Sequence, residues 1–245
     1  MRISFIIPAL NEEKYIADCL KSIFALKGLG DYEIIVVDNK STDNTRSLVA
    51  KNFPQVKIVI EGKQSPAAAR NAGAKVATGE YLAFIDGDCR LPDFWFERAK
   101  DFLSANRNMT LLTGPYKFYD DRSFYFEILY FFATTLFPSI IELIFRKIFR
   151  VAGVSFGGNF LVPQSAFEAL GGFNQNLDFY GEDVDLGNRL AKLGRVFFSP
   201  RIWVYSSARR LKREGRFKMA LIYGINSLWI TFFKKVLIKK HSPVR

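Results

Sequence analysis

Histidine and cysteine are almost missing from this sequence, with one His and two Cys in 245 residues. Cys19 and Cys89 cannot build a disulfide framework, and His241 alone leaves no zinc-binding spacing. A reducing compartment is the expectation. Long apolar runs are missing too. Arg2 is followed by five uncharged residues before Pro8, shorter than the ~7–15 of a secretory signal. That stretch reads as a buried strand. The uncharged segments 128–141 and 219–233 hold 14 and 15 residues, short of the ~20 that span a bilayer. No internal repeat or low-complexity tract is present. Apolar residues at 49% and charged residues at 24% exclude disorder, collagen and coiled coil as the whole-chain answer. What the chain does have is phenylalanine, 25 residues of it, and 35 Lys+Arg against 24 Asp+Glu, a net +11. A basic balance points to a polyanionic partner: nucleic acid, an anionic membrane or phosphorylated ligands. The length suits one large domain or two small ones.

β-rich apolar runs at 3–7, 33–37, 56–60 and 81–85 alternate with helical patterns at 12–26, 44–52 and 65–77, the last stopped by Gly79 as a C-cap. This alternation predicts a parallel sheet covered on both faces. Ligands of such sheets bind beyond the carboxyl ends of the strands. The residues there are Asn11 and Glu12, Asp38 and Asn39, and Asp86 and Asp88.

Each strand end offers a definite chemistry. In Phe84-Ile85-Asp86-Gly87-Asp88 the two acids stand at i and i+2, a spacing that puts strand side chains on one face. Two such carboxylates repel unless a cation lies between them, and hard oxygen donors suit Mg²⁺ or Mn²⁺. Asp38 would point at the sheet rim, where a nucleobase could donate to it. Ser41, Thr42 or Asp43 would cap the helix starting near Asn44. Arg70 could pair with a phosphate or an aspartate. Gly181-Glu182-Asp183-Val184-Asp185 opens an amphipathic helix to about Leu193, whose first turn favours acids. Asp185 and Arg189 fit a pair on its surface.

Taken in chain order, Pro8-Ala9-Leu10-Asn11-Glu12, Val37-Asp38-Asn39-Lys40-Ser41-Thr42-Asp43, Ala69-Arg70-Asn71-Ala72-Gly73, Asp86-Gly87-Asp88 and Gly181-Glu182-Asp183 resemble the family 2 glycosyltransferases of the GT-A fold. Gly157-Gly158-Asn159-Phe160 and Gly171-Gly172-Phe173 also match that family, and the resemblance covers roughly residues 1–210. It implies an α/β fold, GT-A (Rossmann-like), with a mixed, mainly parallel sheet and helices on both faces. It implies inverting transfer of a hexose from a UDP- or GDP-linked sugar to a hydroxyl or phosphate, assisted by Mn²⁺ or Mg²⁺. Residues 1–115 would be the nucleotide-sugar-binding half and 151–210 the acceptor-binding half. By the same resemblance, Pro8, Ala9, Leu10, Asn11, Glu12 and Asp38 would hold base and ribose, and Arg70 would sit near the nucleotide. Asp86 would touch ribose or metal, and Asp88 would coordinate the metal. Asp183 would be the general base, with Glu182 on the acceptor side. Arg209 and Arg210 resemble the arginine-bearing segment of non-processive members and could clamp the diphosphate. Two features depart from the pattern: Asn39-Lys40 stands where Asp-Gly is frequent, and the Gln-x-x-Arg-Trp motif of processive synthases is missing.

Two further segments suggest a membrane surface. Residues 123–150 are rich in Phe, Tyr and Ile and end in Arg146, Lys147 and Arg150, and residues 211–245 read as a basic amphipathic C-terminal helix. The expected partners are thus a nucleoside-diphosphate sugar, an anionic membrane surface and a lipid-linked acceptor, at the cytoplasmic face of the cell membrane, peripheral or monotopic. Nucleic acid is not expected, because the cations lie beside apolar helices while acids crowd the strand ends. A metal-dependent nucleotidyltransferase also uses paired aspartates, but residues 8–12 lack the Gly-rich basic loop it would carry.

Overall fold

The computed structural model describes residues 1–121, 157–177 and 181–238. The strands are β1 (Ile3–Ala9), β2 (Tyr32–Asp38), β3 (Lys57–Ile60), β4 (Tyr81–Ile85), β5 (Met109–Thr113), β6 (Tyr116–Phe118), β7 (Asn159–Pro163), β8 (Arg195–Phe198) and β9 (Val204–Ser206). The helices are α1 (Ile16–Phe24), α2 (Thr45–Asn52), α3 (Pro66–Val76), α4 (Trp95–Ala105), α5 (Gln164–Ala169), α6 (Glu182–Leu193), α7 (Arg209–Glu214) and α8 (Arg216–Phe233). Seven strands form one sheet in the order β3-β2-β1-β4-β7-β5-β8, and β6 and β9 form a separate parallel pair. β1, β2, β3 and β4 are mutually parallel. β7 runs antiparallel to both of its neighbours, β4 and β5. The mixed, mainly parallel sheet is the one expected.

Alternation along the strands decides which helices cover which face. In β1, Ile3, Phe5 and Ile7 join a core with Ile16, Leu20 and Ile23 of α1 and Trp95 and Ala99 of α4. Ile6 points the other way, with Ile35, Leu82 and Phe84, into a core with Ala67 and Ala69 of α3 and Leu186 and Leu190 of α6. Phe84 lies 4.9 Å from Phe160 and 5.2 Å from Phe173, centroid to centroid. Burying each such ring contributes about 1.5–3 kcal/mol. Phenylalanine abundance therefore serves the core here, beside whatever it does elsewhere.

Helix ends follow local chemistry. α3 begins where Ser65 Oγ accepts from Ala68 N–H (3.4 Å), with Pro66 in the first turn. It ends at Val76, so Gly79 is not its C-cap. Gly79 packs instead on Ser4, where a Cβ would collide with the Ser4 backbone. α1 starts later than its pattern predicts; the residues before it are tied across, Glu12 N–H to Thr45 Oγ1 at the start of α2 and Glu13 N–H to Asp43 in the loop before it.

Residues 123–150, read above as an interfacial insertion, lie outside the described residues. The C-terminal segment holds two helices rather than one within its described part. α7 and α8 meet at Gly215 (φ 93°) and pack Leu211, Met219 and Ile222 on Phe118. Among the described residues no helix is long and apolar enough to cross a membrane.

Candidate active site

Parallel strands deliver their carboxyl ends to one edge, and β1 sits between β2 on one side and β4 on the other. The crevice that opens where connections leave in opposite directions is the usual ligand position of such sheets. Antiparallel β7 brings its amino end to the same edge, since Asn159 is in register with Ile85. Gly157 and Gly158 therefore stand beside Asp86.

The loops after β1 and β2 are bolted together. Ala9 pairs with Asp38 in register, and Asn39 N–H donates to Ala9 O at 2.8 Å. Asn11 N–H donates to Ser41 Oγ (3.0 Å), and Thr42 N–H donates back to Asn11 Oδ1 (2.8 Å). Asp43, rather than Ser41 or Thr42, serves the helix start, accepting from Thr45 N–H at 2.9 Å. Buried Asp38 accepts from Ser41 N–H at 3.2 Å, so one of its oxygens shapes the turn. Asn39 is buried and ties down the next loop, donating to Glu61 O and Lys63 O and accepting from Ser65 N–H. Lys40 adopts φ 66° and Asn11 φ 54°. The left-handed region explains why glycine is frequent at the lysine position.

Two arginines organise the acids. Arg70, buried on α3, donates to Asp86 Oδ1 (2.9 Å) and to Glu182 Oε1 (2.8 Å). Burial opposes its charge, but Asp86, Glu182 and Asp183 outweigh that and hold it protonated. Arg209, at the start of α7, reaches Glu12 Oε1 (2.5 Å) and Asp88 Oδ2 (3.1 Å) and covers the Tyr15 ring at 4.7 Å. Asp183 accepts from Gly157 N–H (3.0 Å) and Val184 N–H (2.8 Å). Burial first, and Glu182 second, push the Asp183 carboxyl up to about 7 against the pull of Arg70 and those amides. A side chain at Gly157 would crowd Arg70 and Asp183, and one at Gly158 would collide with Asp86. The two glycines leave room for the charged cluster.

The Asp86-Gly87-Asp88 geometry differs from the strand alternation expected of it. β4 ends at Ile85, and the three residues form a turn closed by Cys89 N–H to Asp86 O at 2.9 Å. Asp86 therefore turns to Arg70 while Asp88 turns to Arg209. Glu12, Asp86, Asp88, Glu182 and Asp183 still outnumber the two guanidinium groups around them. Among the described residues no three potential ligands converge as a closed metal cage. One or two carboxylates with surplus negative charge fit Mg²⁺ or Mn²⁺, whose remaining ligands are commonly phosphate oxygens and water.

Arg210 faces Glu214 (3.9 Å) and Tyr223 Oη (3.5 Å), and that phenol also feels the charge of Asp183. Tyr116 carries no sequence signal of its own, and most partners of Asn159, Asn71 and Arg189 are distant in sequence. Tyr116 Oη accepts from Gly158 N–H at 2.7 Å. Asn159 takes Trp95 Nε1–H (3.0 Å) and donates to Gly114 O and Ile202 O. Asn71 exchanges two hydrogen bonds with Phe173, and Arg189 holds Asp185, Leu170 O and Gly172 O. These contacts explain why the two Gly-Gly stretches sit where they do.

Residues 4–171 match the family described as Glycosyl transferase family 2. Glycosyltransferase AglE of Haloferax volcanii is 35% identical over 121 residues, covering 47% of this chain and 40% of AglE. A dolichyl N-acetyl-alpha-D-glucosaminyl phosphate 3-beta-D-2,3-diacetamido-2,3-dideoxy-beta-D-glucuronosyltransferase of Methanococcus voltae is 37% identical over 110 residues, 42% of this chain and 32% of that protein. The chain thus spans less than half the length of these curated relatives. The solved mannosyltransferase PcManGT from Pyrobaculum calidifontis, in complex with GDP-Man and Mn²⁺, superposes with a TM-score of 0.69 at 22% identity, covering 95% of this chain and 63% of that one. The expected GT-A fold is borne out.

Proposed function

The chain belongs to glycosyl transferase family 2, and from that premise we propose that it moves a hexose, with inversion, from a UDP- or GDP-linked sugar to a hydroxyl or phosphate on a lipid-linked acceptor. One observation carries the reading: Arg70 bridges Asp86 and Glu182. The end of β4 and the start of α6 thereby share one crevice. Residues 1–115 would form its donor side and residues 151–210 its acceptor side.

Roles follow from position. Pro8, Ala9, Leu10, Asn11, Glu12 and Asp38 border base and ribose, on loops locked to each other by the bonds above. Arg70 fixes Asp86 toward the nucleotide. Asp86 and Asp88 would hold Mn²⁺ or Mg²⁺. A divalent ion there would neutralise the charge that develops on the departing diphosphate. Arg209, now on Asp88 and Glu12, exchanges Asp88 for a phosphate oxygen when donor arrives. Arg210, on the same short helix, stays with Glu214 and Tyr223.

Asp183 takes the acceptor proton. As the acceptor oxygen bonds to the anomeric carbon, the bond from that carbon to the diphosphate oxygen breaks, and the nucleoside diphosphate leaves with the electron pair. A single displacement inverts the centre. A carboxyl raised to about 7 is matched to this work, because it is a stronger base than an ordinary aspartate yet still ionises near neutrality. Glu182 lies beside it on the acceptor side. The M. voltae relative's name supports a lipid-borne acceptor, and such an acceptor would call for peripheral attachment at the cytoplasmic face of the cell membrane.

A thermal-shift panel of nucleotide sugars with Mn²⁺ tests the reading. A true donor at about 100 times its Kd stabilises the native state by about 2.7 kcal/mol, while a panel with no shift for any UDP or GDP sugar contradicts it.

A further inference from the structure

The turn 170–173 links α3 to α6, because polar side chains of both helices grip it. It is built on two left-handed glycines, Gly171 (φ 69°) and Gly172 (φ 78°). From α3, Asn71 Nδ2 donates to Phe173 O and Asn71 Oδ1 accepts from Phe173 N–H, both at 2.9 Å. A carboxamide offers one donor edge and one acceptor edge, which match the backbone of a single residue. A Cβ at Gly172 would stand 2.6 Å from Asn71 Oδ1, so the glycine admits this approach. From α6, the Arg189 guanidinium donates to Leu170 O (3.1 Å) and Gly172 O (2.8 Å), while its Nε holds buried Asp185 at 2.7 Å. A planar fork serves three acceptors at once, which a lysine ammonium on a flexible stem does not.

Packing alone already seats the turn. The Phe173 ring lies 5.2 Å from Phe84, 5.9 Å from Phe160 and 5.6 Å from Phe167, centroid to centroid. The polar links add direction rather than burial, and they run beside the charged cluster. Asn71 follows Arg70 in α3, and Arg70 Cζ lies 5.6 Å from the Phe173 ring. Asp185 shares the first turn of α6 with Glu182 and Asp183. Arg70 donates to Glu182 at 2.8 Å. The two helices are thus tied twice near the acids, once directly and once through the turn.

We propose that Asn71 and Arg189 are positioning residues for the transfer: acting in series through the turn 170–173, they fix α6 against α3 and so hold Asp183 in line with the donor. The inference rests on the proposed transfer, with Asp183 as base. Loss of either link lets α6 turn about the Arg70–Glu182 pair and takes Asp183 off the line of attack. A displacement of about 1 Å can cost up to about 10²-fold in rate. Donor binding persists, since the loops after β1 and β2 are bolted to each other by bonds of their own.

Nucleotide release from UDP-glucose, UDP-GlcNAc and GDP-mannose, with Mn²⁺ and with water as acceptor, tests this together with amide hydrogen exchange. Arg189→Lys keeps the charge beside Asp185 and gives up the fork. Asn71→Ala gives up both bonds to Phe173. Each should lower kcat by about 10- to 100-fold with donor KM unchanged. The double variant should be no slower than the slower single variant, because links in series break once. The N–H groups of Gly157 and Val184, both bound to Asp183, should exchange faster in each variant while those of β1 and β4 keep their rates. Glu33→Ala, at the opposite edge of the sheet, controls for lost stability and should keep kcat. Wild-type kcat in either variant overturns the inference, as does a rise in KM with kcat intact. Additive losses in the double variant, or an equal loss of kcat in Glu33→Ala, also overturn it. If Asn71→Ala does not fold, Arg189→Lys decides by the same readouts. A wild type that releases no nucleotide from any of these donors contradicts the transferase reading instead. Exchange at Gly157 and Val184 then judges the strut: faster exchange in both variants upholds it, and unchanged exchange overturns it.

Discussion

The two edges of the parallel sheet both hold carboxylates, partly buried Glu33 at one and Asp183 at the other, and they treat them in opposite ways. At the amino edge, Glu33 accepts from Ser4 Oγ (2.7 Å), Thr78 N–H (2.6 Å) and Thr78 Oγ1 (2.7 Å), while Gly79 N–H donates to Ser4 Oγ (2.9 Å). Burial alone would raise the Glu33 carboxyl, but these donors overcome it and hold it below the usual glutamate range. At the carboxyl edge, burial and Glu182 win, and Asp183 rises to about 7. Neutral donors around one acid make a lock. Acids placed beside acids, with too few cations among them, make a site that a cationic or proton-bearing ligand completes. The backbone repeats the contrast: Asn11 and Lys40, the left-handed non-glycine residues of the strand loops, both stand at the carboxyl edge.

The contrast extends to pH. The depressed Glu33 contributes stability that is present above the ordinary glutamate range and is lost as pH falls through its lowered value. The raised Asp183 contributes stability that is full below the ordinary aspartate range and is lost as pH rises through about 7.

Asp183→Asn gives the largest expected effect, about 10²–10⁴-fold in kcat with the donor thermal shift intact; wild-type turnover in this variant would move the base elsewhere. Next comes the wild-type pH profile. kcat/KM should fall tenfold per pH unit below about 7, the value to which Asp183 is pushed, and a profile flat down to pH about 5 would mean that an ordinary carboxylate does the work. Glu33→Ala should cost about 1–3 kcal/mol of unfolding free energy by stranding its donors, with kcat per folded molecule unchanged. An equal loss of kcat would erase the distinction between the two edges. Lys40→Gly should be the mildest, a gain of about 1 kcal/mol from relieving a left-handed non-glycine residue. A loss in chemical denaturation would show that the lysine side chain compensates for its backbone.

Local pattern carried much of this architecture. β4 (Tyr81–Ile85) has the boundaries its apolar run predicts, and α6 carries the Asp185–Arg189 pair (2.7 Å) expected from its spacing, although Asp185 is buried and Arg189 is tied to Leu170 O and Gly172 O rather than the pair standing on the surface. The acids of the rim were legible because strand ends in a parallel sheet share an edge. What stayed hidden depends on partners distant in sequence. Arg209 and Glu12 are 197 residues apart, and no periodicity reports such a pair. Asp38 read as a rim group, yet it spends one oxygen on Ser41 N–H. Gly79 looked like a helix cap because only its helix, and not Ser4, is nearby in sequence. The break between α7 and α8 at Gly215 is a lone glycine in an otherwise helical pattern, tolerable in a continuous helix and therefore silent.

Calorimetric titration of UDP and GDP into the wild-type protein and Asp88→Ala, each with and without Mn²⁺, tests the carboxyl edge most directly. A cation held by Asp86 and Asp88 requires that one nucleotide bind the wild type tightly only when Mn²⁺ is present, and that Asp88→Ala lose the metal-dependent part. Binding of equal strength in all four combinations would contradict it.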